Sequence, residues 1–164
     1  MPGDFRPHDI LRVLIEREVE FVVIGGFAAN MHGSPLPTLD IDITPRQSLP
    51  NLQRLSDALR DLDAKVRAVE LDEPLPFSHD ATSLAAVHVW NLHTLHGDLD
   101  ISFVPSGTTG FDDLRRDAVV EDLRGLSVVV ASLADVIRSK EAAGRDKDRR
   151  ALPVLREILA RRLP

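Results

Sequence analysis

The stretch FVVIGGFAANMHGSPLPTLDIDIT, residues 21–44, constrains the fold more than any other part of the chain. An apolar run ends at Gly25-Gly26, the short helix-compatible segment FAANMH closes at Gly33, and LDIDIT then carries aspartates at alternate positions. Successive side chains of a strand point to opposite faces, so Asp40, Asp42 and Thr44 share one face and Leu39, Ile41 and Ile43 the other. Glycines let the backbone turn sharply and come close to a ligand. If FAANMH is helical, its unpaired N–H groups point back toward the Gly-Gly corner, where an anion can sit. A Gly-Gly pair after a strand is, on its own, only a turn. Two carboxylates on one strand face beside that turn point to a site.

The alternation recurs in DLDISFV, where Asp98, Asp100 and Ser102 point one way and Leu99, Ile101 and Phe103 the other. If the two strands lie side by side, Asp40, Asp42 and Asp100 converge; Asp98, nearer the turn, is the second choice. Like charges that close repel and hold on to protons, so the group needs a compensating cation. Ligation by oxygen alone suits Mg²⁺, with Mn²⁺ as the substitute. The other reading of either pair is a solvated polar face on an edge strand.

Around this centre the periodicities predict a mixed sheet flanked by helices. Ile10, Leu11, Leu14 and Ile15 mark a helix over 8–18, and Leu49, Leu52, Leu55, Leu59 and Leu62 a second. AKVRAVEL can form a strand, and DEPLPFSHDAT reads as irregular loop. LAAVHVWNL and DLDISFV form a hairpin through HTLHG. TTGFDDLRRDA holds a short helix, and LSVVVAS a further strand. Ser132 is a fitting N-cap for a helix ending at Gly144, and a last helical segment is broken or kinked at Pro153. The fold class is α/β (α+β). One domain spans 1–164, with its core at about 20–130 and a C-terminal helical segment at about 132–162.

Composition narrows the class. A chain of 164 residues supports one real core and not two. With aromatics at 4%, that core must be Leu, Val, Ile and Ala, with Trp90 inside it. The absence of cysteine excludes a disulfide framework and thiolate metal sites and fits a reducing cytoplasm. The start has no apolar run of the signal-peptide kind, and no apolar stretch reaches about 18 residues, so no membrane span is expected. A net charge of −6 argues against broad coating of nucleic acid, although the C-terminal segment is locally basic.

The residues GGFAANMHGSPLPTLDIDI resemble the signature of the polymerase-β-like nucleotidyltransferase superfamily: Gly-Gly or Gly-Ser after a first strand, a short helix, then two aspartates alternating with apolar residues. LDI at 99–101 resembles the third carboxylate strand. The tail LADVIRSKEAAGRDKDRRAL is similar to the paired Lys and Arg-Asp/Lys-Asp motifs of the AbiEii-type branch, which includes toxins of toxin–antitoxin systems. The similarity runs from about residue 20 to 152. One departure stands out: SPLPT replaces the basic residue that many relatives carry before the second strand.

The resemblance implies Mg²⁺-dependent transfer of NMP from an NTP to an acceptor, either tRNA or protein, with a cognate antitoxin as a partner. Asp40, Asp42 and Asp100 would be catalytic and metal-binding, and Gly25, Gly26, Lys140 and Asp148 would serve the nucleotide. The alternative is a non-catalytic nucleotide-binding or partner-binding module, such as an antitoxin.

The tail can be read without the resemblance. Leu133, Val136, Ile137 and Lys140 follow i, i+3, i+4, i+7, so Lys140 continues an inward apolar stripe, as does Asp148 with Ala151, Leu152 and Leu155. Lys140 either meets phosphate or snorkels to solvent. Arg145, Lys147, Arg149 and Arg150 read as a solvated basic face. His88, His93 and His96 surround the hairpin without zinc spacing and are assigned surface or packing roles.

Overall fold

The alternation of apolar and acidic residues is realised in the sheet. Ile41, Ile43, Leu99 and Ile101 are fully removed from solvent, and Asp40, Asp42, Asp98 and Asp100 occupy the intervening positions at partial exposure. The structure, a computed structural model, describes residues 4–164. In chain order the elements are α1 (Pro7–Glu16), β1 (Phe21–Ile24), α2 (Gly25–Met31), β2 (Asp40–Pro45), α3 (Leu49–Asp61), β3 (Lys65–Val66), β4 (Leu75–Pro76) and α4 (Ala81–Ala85). There follow β5 (Val89–Thr94), β6 (Gly97–Ser102), α5 (Phe111–Arg116), β7 (Val119–Leu123), β8 (Leu126–Val130), α6 (Leu133–Ala143) and α7 (Asp146–Arg162).

The strands form one sheet of eight in the order β4-β3-β5-β6-β2-β1-β8-β7. β2 runs parallel to β6 and β1 parallel to β8, while the remaining neighbours are antiparallel. α1 packs on α3 and on the sheet at β6 and β8, and α6 lies against α2 and α7. Aliphatic side chains supply nearly all of the core, helped by Phe21, Phe27, Phe103 and Phe111. Among the described residues no helix is long and apolar enough to cross a membrane.

Local signals explain most boundaries. Ser48 and Ser132 cap α3 and α6 by accepting hydrogen bonds from the N–H groups of Asn51 and Asp135. Gly144, in the left-handed region, ends α6.

Several expectations need correction. Leu39 is 78% exposed and precedes β2, and Leu49 also faces solvent, so neither belongs to its buried stripe. The segment assigned to loop and strand at 80–86 contains α4, capped by a reciprocal Asp80–Ser83 box. β7 pairs with β8 through the two-residue turn Arg124-Gly125, both at positive φ. Pro153 neither breaks nor ends α7; it sits on the solvent face, where the carbonyl it leaves unpaired can turn to water. Trp90 is only partly buried at the edge of the core, stacked on Phe77 at 5.4 Å and donating its indole N–H to the Leu84 carbonyl.

Candidate active site

Parallel pairing of β2 with β6 sets Asp42 opposite Asp100 and Asp40 opposite Asp98. Because these residues share the face away from Ile41 and Leu99, their carboxylates gather on one side of the sheet. One oxygen each from Asp40, Asp42 and Asp100 lies within 4.8 Å of the others. Asp98 is occupied elsewhere: its carboxylate lies 2.7 Å from His93 Nδ1 and 3.5 Å from Arg67 Nε. Thr38 donates its hydroxyl to Asp40 at 3.1 Å. Arg67 donates to Asp100 at 2.5 Å.

The antiparallel register of β1 and β2 puts Ile24 beside Asp42, so the chain enters α2 directly against that carboxylate. Gly25 adopts φ +67°, and a Cβ there would collide with the Asp42 carboxylate. Gly26 faces Thr38 with barely room for a methyl group. The two glycines are thus the first residues of α2 rather than a turn before it.

Crowding shows in the proton affinities. Burial, reinforced by the Asp40 and Asp100 charges, pushes the Asp42 carboxyl up to about 7, against the pull of Lys147 and Lys140. Burial likewise lifts Asp100 to about 6; Arg67 opposes the rise and the Asp40 charge adds to it. Three carboxylates in one site, two of them holding protons tightly, are a donor set short of a cation. Their all-oxygen chemistry and mutual spacing fit a hard divalent ion.

Cations face this group from the C-terminal helices. Lys140 on α6, Arg145 at the α6–α7 joint and Lys147 on α7 border a cavity of about 370 Å³ together with Asp40, Asp42 and Asp100. The same three cations, with Asp40 and Asp42, border a second hollow of about 170 Å³, which Gly25, Gly26 and Thr38 also line. Lys140 is only 13% exposed and lies 3.6 Å from Asp148, which is wholly buried. Asp148 also accepts from Arg145 Nε at 2.7 Å, from its Nη2 at 3.3 Å and from its backbone N–H at 3.1 Å. Burial works to raise the Asp148 carboxyl, yet the Arg145 hydrogen bonds and charge hold it below the usual carboxylate range.

Asp148 therefore sits behind Lys140 and Arg145 and anchors them, rather than facing the cavity. Arg145 and Lys147, assigned from sequence to a solvated face, line the cleft, while Arg149 pairs with Asp146. The Arg145–Asp148 spacing of three on a helix was a signal that could have separated them. Arg67 carried no such signal, since its approach to Asp100 depends on strand pairings distant in sequence. His88 is exposed, and His93 serves Asp98.

No family model matches the chain, and no curated protein matches it. Solved structures do. A protein of Thermotoga maritima, TM1012, described as a candidate nucleotidyltransferase, is 20% identical over 98% of each chain with a TM-score of 0.56. The lincosamide antibiotic adenylyltransferase LnuA, solved with lincomycin bound, is 15% identical over 95% of this chain and 99% of its own, with a TM-score of 0.62. ANT(2'')-Ia in complex with adenylyl-2''-tobramycin is 18% identical over 93% and 86% of the two chains, with a TM-score of 0.57. This chain's sheet of eight mixed strands, with helices on it and a C-terminal helical pair, aligns with these structures over near-complete chains and is a nucleotidyltransferase-like fold.

Proposed function

We propose that the protein is a cytoplasmic, Mg²⁺- or Mn²⁺-dependent nucleotidyltransferase that moves an NMP unit from an NTP to an acceptor hydroxyl. The observation that carries this reading is the convergence of Asp40, Asp42 and Asp100 opposite Lys140, Arg145 and Lys147. Asp40 and Asp42, with the free oxygen of Asp100, would hold the metal, which when bound supplies charge neutralisation to the triphosphate and its leaving group. Lys140, Arg145 and Lys147 bind the phosphate oxygens, and Gly25 and Gly26 let the chain approach them without a side chain in the way. Asp148 acts through Lys140 and Arg145 as a positioning residue. Asp100 would take the proton of the acceptor hydroxyl as that oxygen bonds to the α-phosphorus and pyrophosphate departs. Orientation and electrostatics supply most of the rate in such a site.

The acceptor is tRNA or a protein if the AbiEii-type resemblance extends to a toxin-like role with a cognate antitoxin. A small-molecule hydroxyl is the second reading. It is favoured by a further cavity of about 370 Å³, bordered by Arg67, Asp72, Glu73 and Asn91, that meets the cleft at Asn91. Its two mouth carboxylates disfavour a polyanion. LnuA and ANT(2'')-Ia were solved with small antibiotic ligands.

The deciding experiment incubates the protein with each α-labelled NTP, Mg²⁺, and in turn total RNA, a protein extract and a small-molecule extract. Label is expected to pass to one class of acceptor with wild type and not with Asp42→Asn. NTP binding without transfer would instead leave a non-catalytic nucleotide-binding module. Neither binding nor transfer would leave a partner-binding protein such as an antitoxin.

A further inference from the structure

Arg67 follows directly on β3, yet its guanidinium reaches the far side of β5. Neighbouring strands stand about 4.8 Å apart, so the side chain must extend across a whole strand to arrive at β6. It is anchored along the way. Its backbone N–H donates to the Asn91 carbonyl at 2.9 Å, Nε donates to the Leu92 carbonyl at 3.2 Å, and Nη2 donates to Asp100 Oδ1 at 2.5 Å. Asp98 adds a second carboxylate 3.5 Å from Nε. Both ends of the main ion pair are shielded, with the Arg67 side chain 34% and that of Asp100 19% exposed. The three cations of the cleft share its lining with the carboxylates, whereas Arg67 borders the adjoining cavity, which meets the cleft at Asn91.

We propose that Arg67 supplies at Asp100 the positive charge that a second divalent cation would otherwise bring, so that the nucleotide-free protein holds one divalent ion rather than two. The inference rests on the metal-dependent reading of the same site. At Asp100 the guanidinium already supplies a positive charge, and a second divalent ion bound there would be repelled by it. One oxygen of Asp100 is committed to Nη2, which leaves the other to face Asp40 and Asp42. Arg67 acts through Asp100 and is a positioning residue.

Titration of the nucleotide-free protein with Mn²⁺, followed by calorimetry and by the electron paramagnetic resonance of free Mn²⁺, tests this without any turnover. Wild type is expected to bind one Mn²⁺ per chain. Arg67→Met removes the positive charge that faces Asp100 and should tighten that binding at least about tenfold. Arg67→Lys, which keeps the charge, should stay near wild type. Two ions in wild type, or an Arg67→Met affinity equal to or weaker than wild type, overturns the role of Arg67 and leaves the metal site standing. No Mn²⁺ bound by wild type removes the metal-dependent reading itself. Should Arg67→Met not fold, the wild-type stoichiometry alone still decides.

Discussion

Position 25 admits only glycine for two separate reasons: its φ of +67° and the Asp42 carboxylate standing where a Cβ would go. Gly25→Ala is expected to cost roughly 1–3 kcal/mol and to abolish the thermal response to Mn²⁺, since only displacement of Asp42 relieves the clash. Melting curves with and without the ion check both effects. Asp42 itself sets a pH dependence. Folded, the Asp42 carboxyl titrates at about 7 and Asp100 at about 6, against 3.8 for an ordinary aspartate. The native state keeps these protons where the unfolded chain has lost them, so their contribution to stability falls as pH rises from about 4 through about 7. His79, whose pKa is lowered chiefly by burial, trends the other way, so wild type is best compared with a variant. Without divalent ions, Asp42→Asn should gain on wild type between pH 5 and about 7 and level off above that, and a constant difference in melting temperature would contradict the strain at this site.

Among the elements, α6 and α7 are the pair on which the site depends most. Lys140 ends the stripe of Leu133, Val136 and Ile137, and its ammonium meets Asp148 rather than open solvent. Asp148 keeps three hydrogen bonds from Arg145 if Lys140 is lost. Lys140→Met should therefore melt close to wild type while NTP affinity falls about ten- to a hundredfold. That is the worth of a charge-assisted phosphate contact of roughly 1.5–3 kcal/mol. Equal affinities in the two proteins would return Lys140 to a packing role. Elements with a local signature were legible in the sequence: the Ser132 cap, the Gly144 stop, and the alternation in β2 and β6. β7 and α4 escaped because their signals are short. The positive-φ turn at Arg124-Gly125 and the Asp80–Ser83 box span two and four residues inside segments that otherwise read as irregular.

At the scale of the whole molecule the metal couples to folding. An ion that binds only the native protein stabilises it by about 2.7 kcal/mol at a hundred times its Kd. For a chain of this size that corresponds to a rise in melting temperature of roughly 5–10 °C. Scans with Mg²⁺ or Mn²⁺, repeated with NTP present, should show this rise in wild type and lose it in Asp42→Asn; equal responses would move the site elsewhere. The sequence by itself determined which faces of β2 and β6 are acidic, that a short helix follows β1, and that Lys140 lies on an inward stripe. Those follow from strand and helix periodicities and from glycine geometry, all of which act within a few residues. Only the tertiary structure decided that Asp98 is engaged by His93 and Arg67, that Arg145 and Lys147 turn toward the carboxylates, and that Arg67 crosses β5 to reach Asp100. The reach of Arg67 to Asp100 depends on which strands become neighbours and in what register, and that of Arg145 and Lys147 on how α6 and α7 dock; no local pattern along the chain encodes a pairing between residues 33 positions apart.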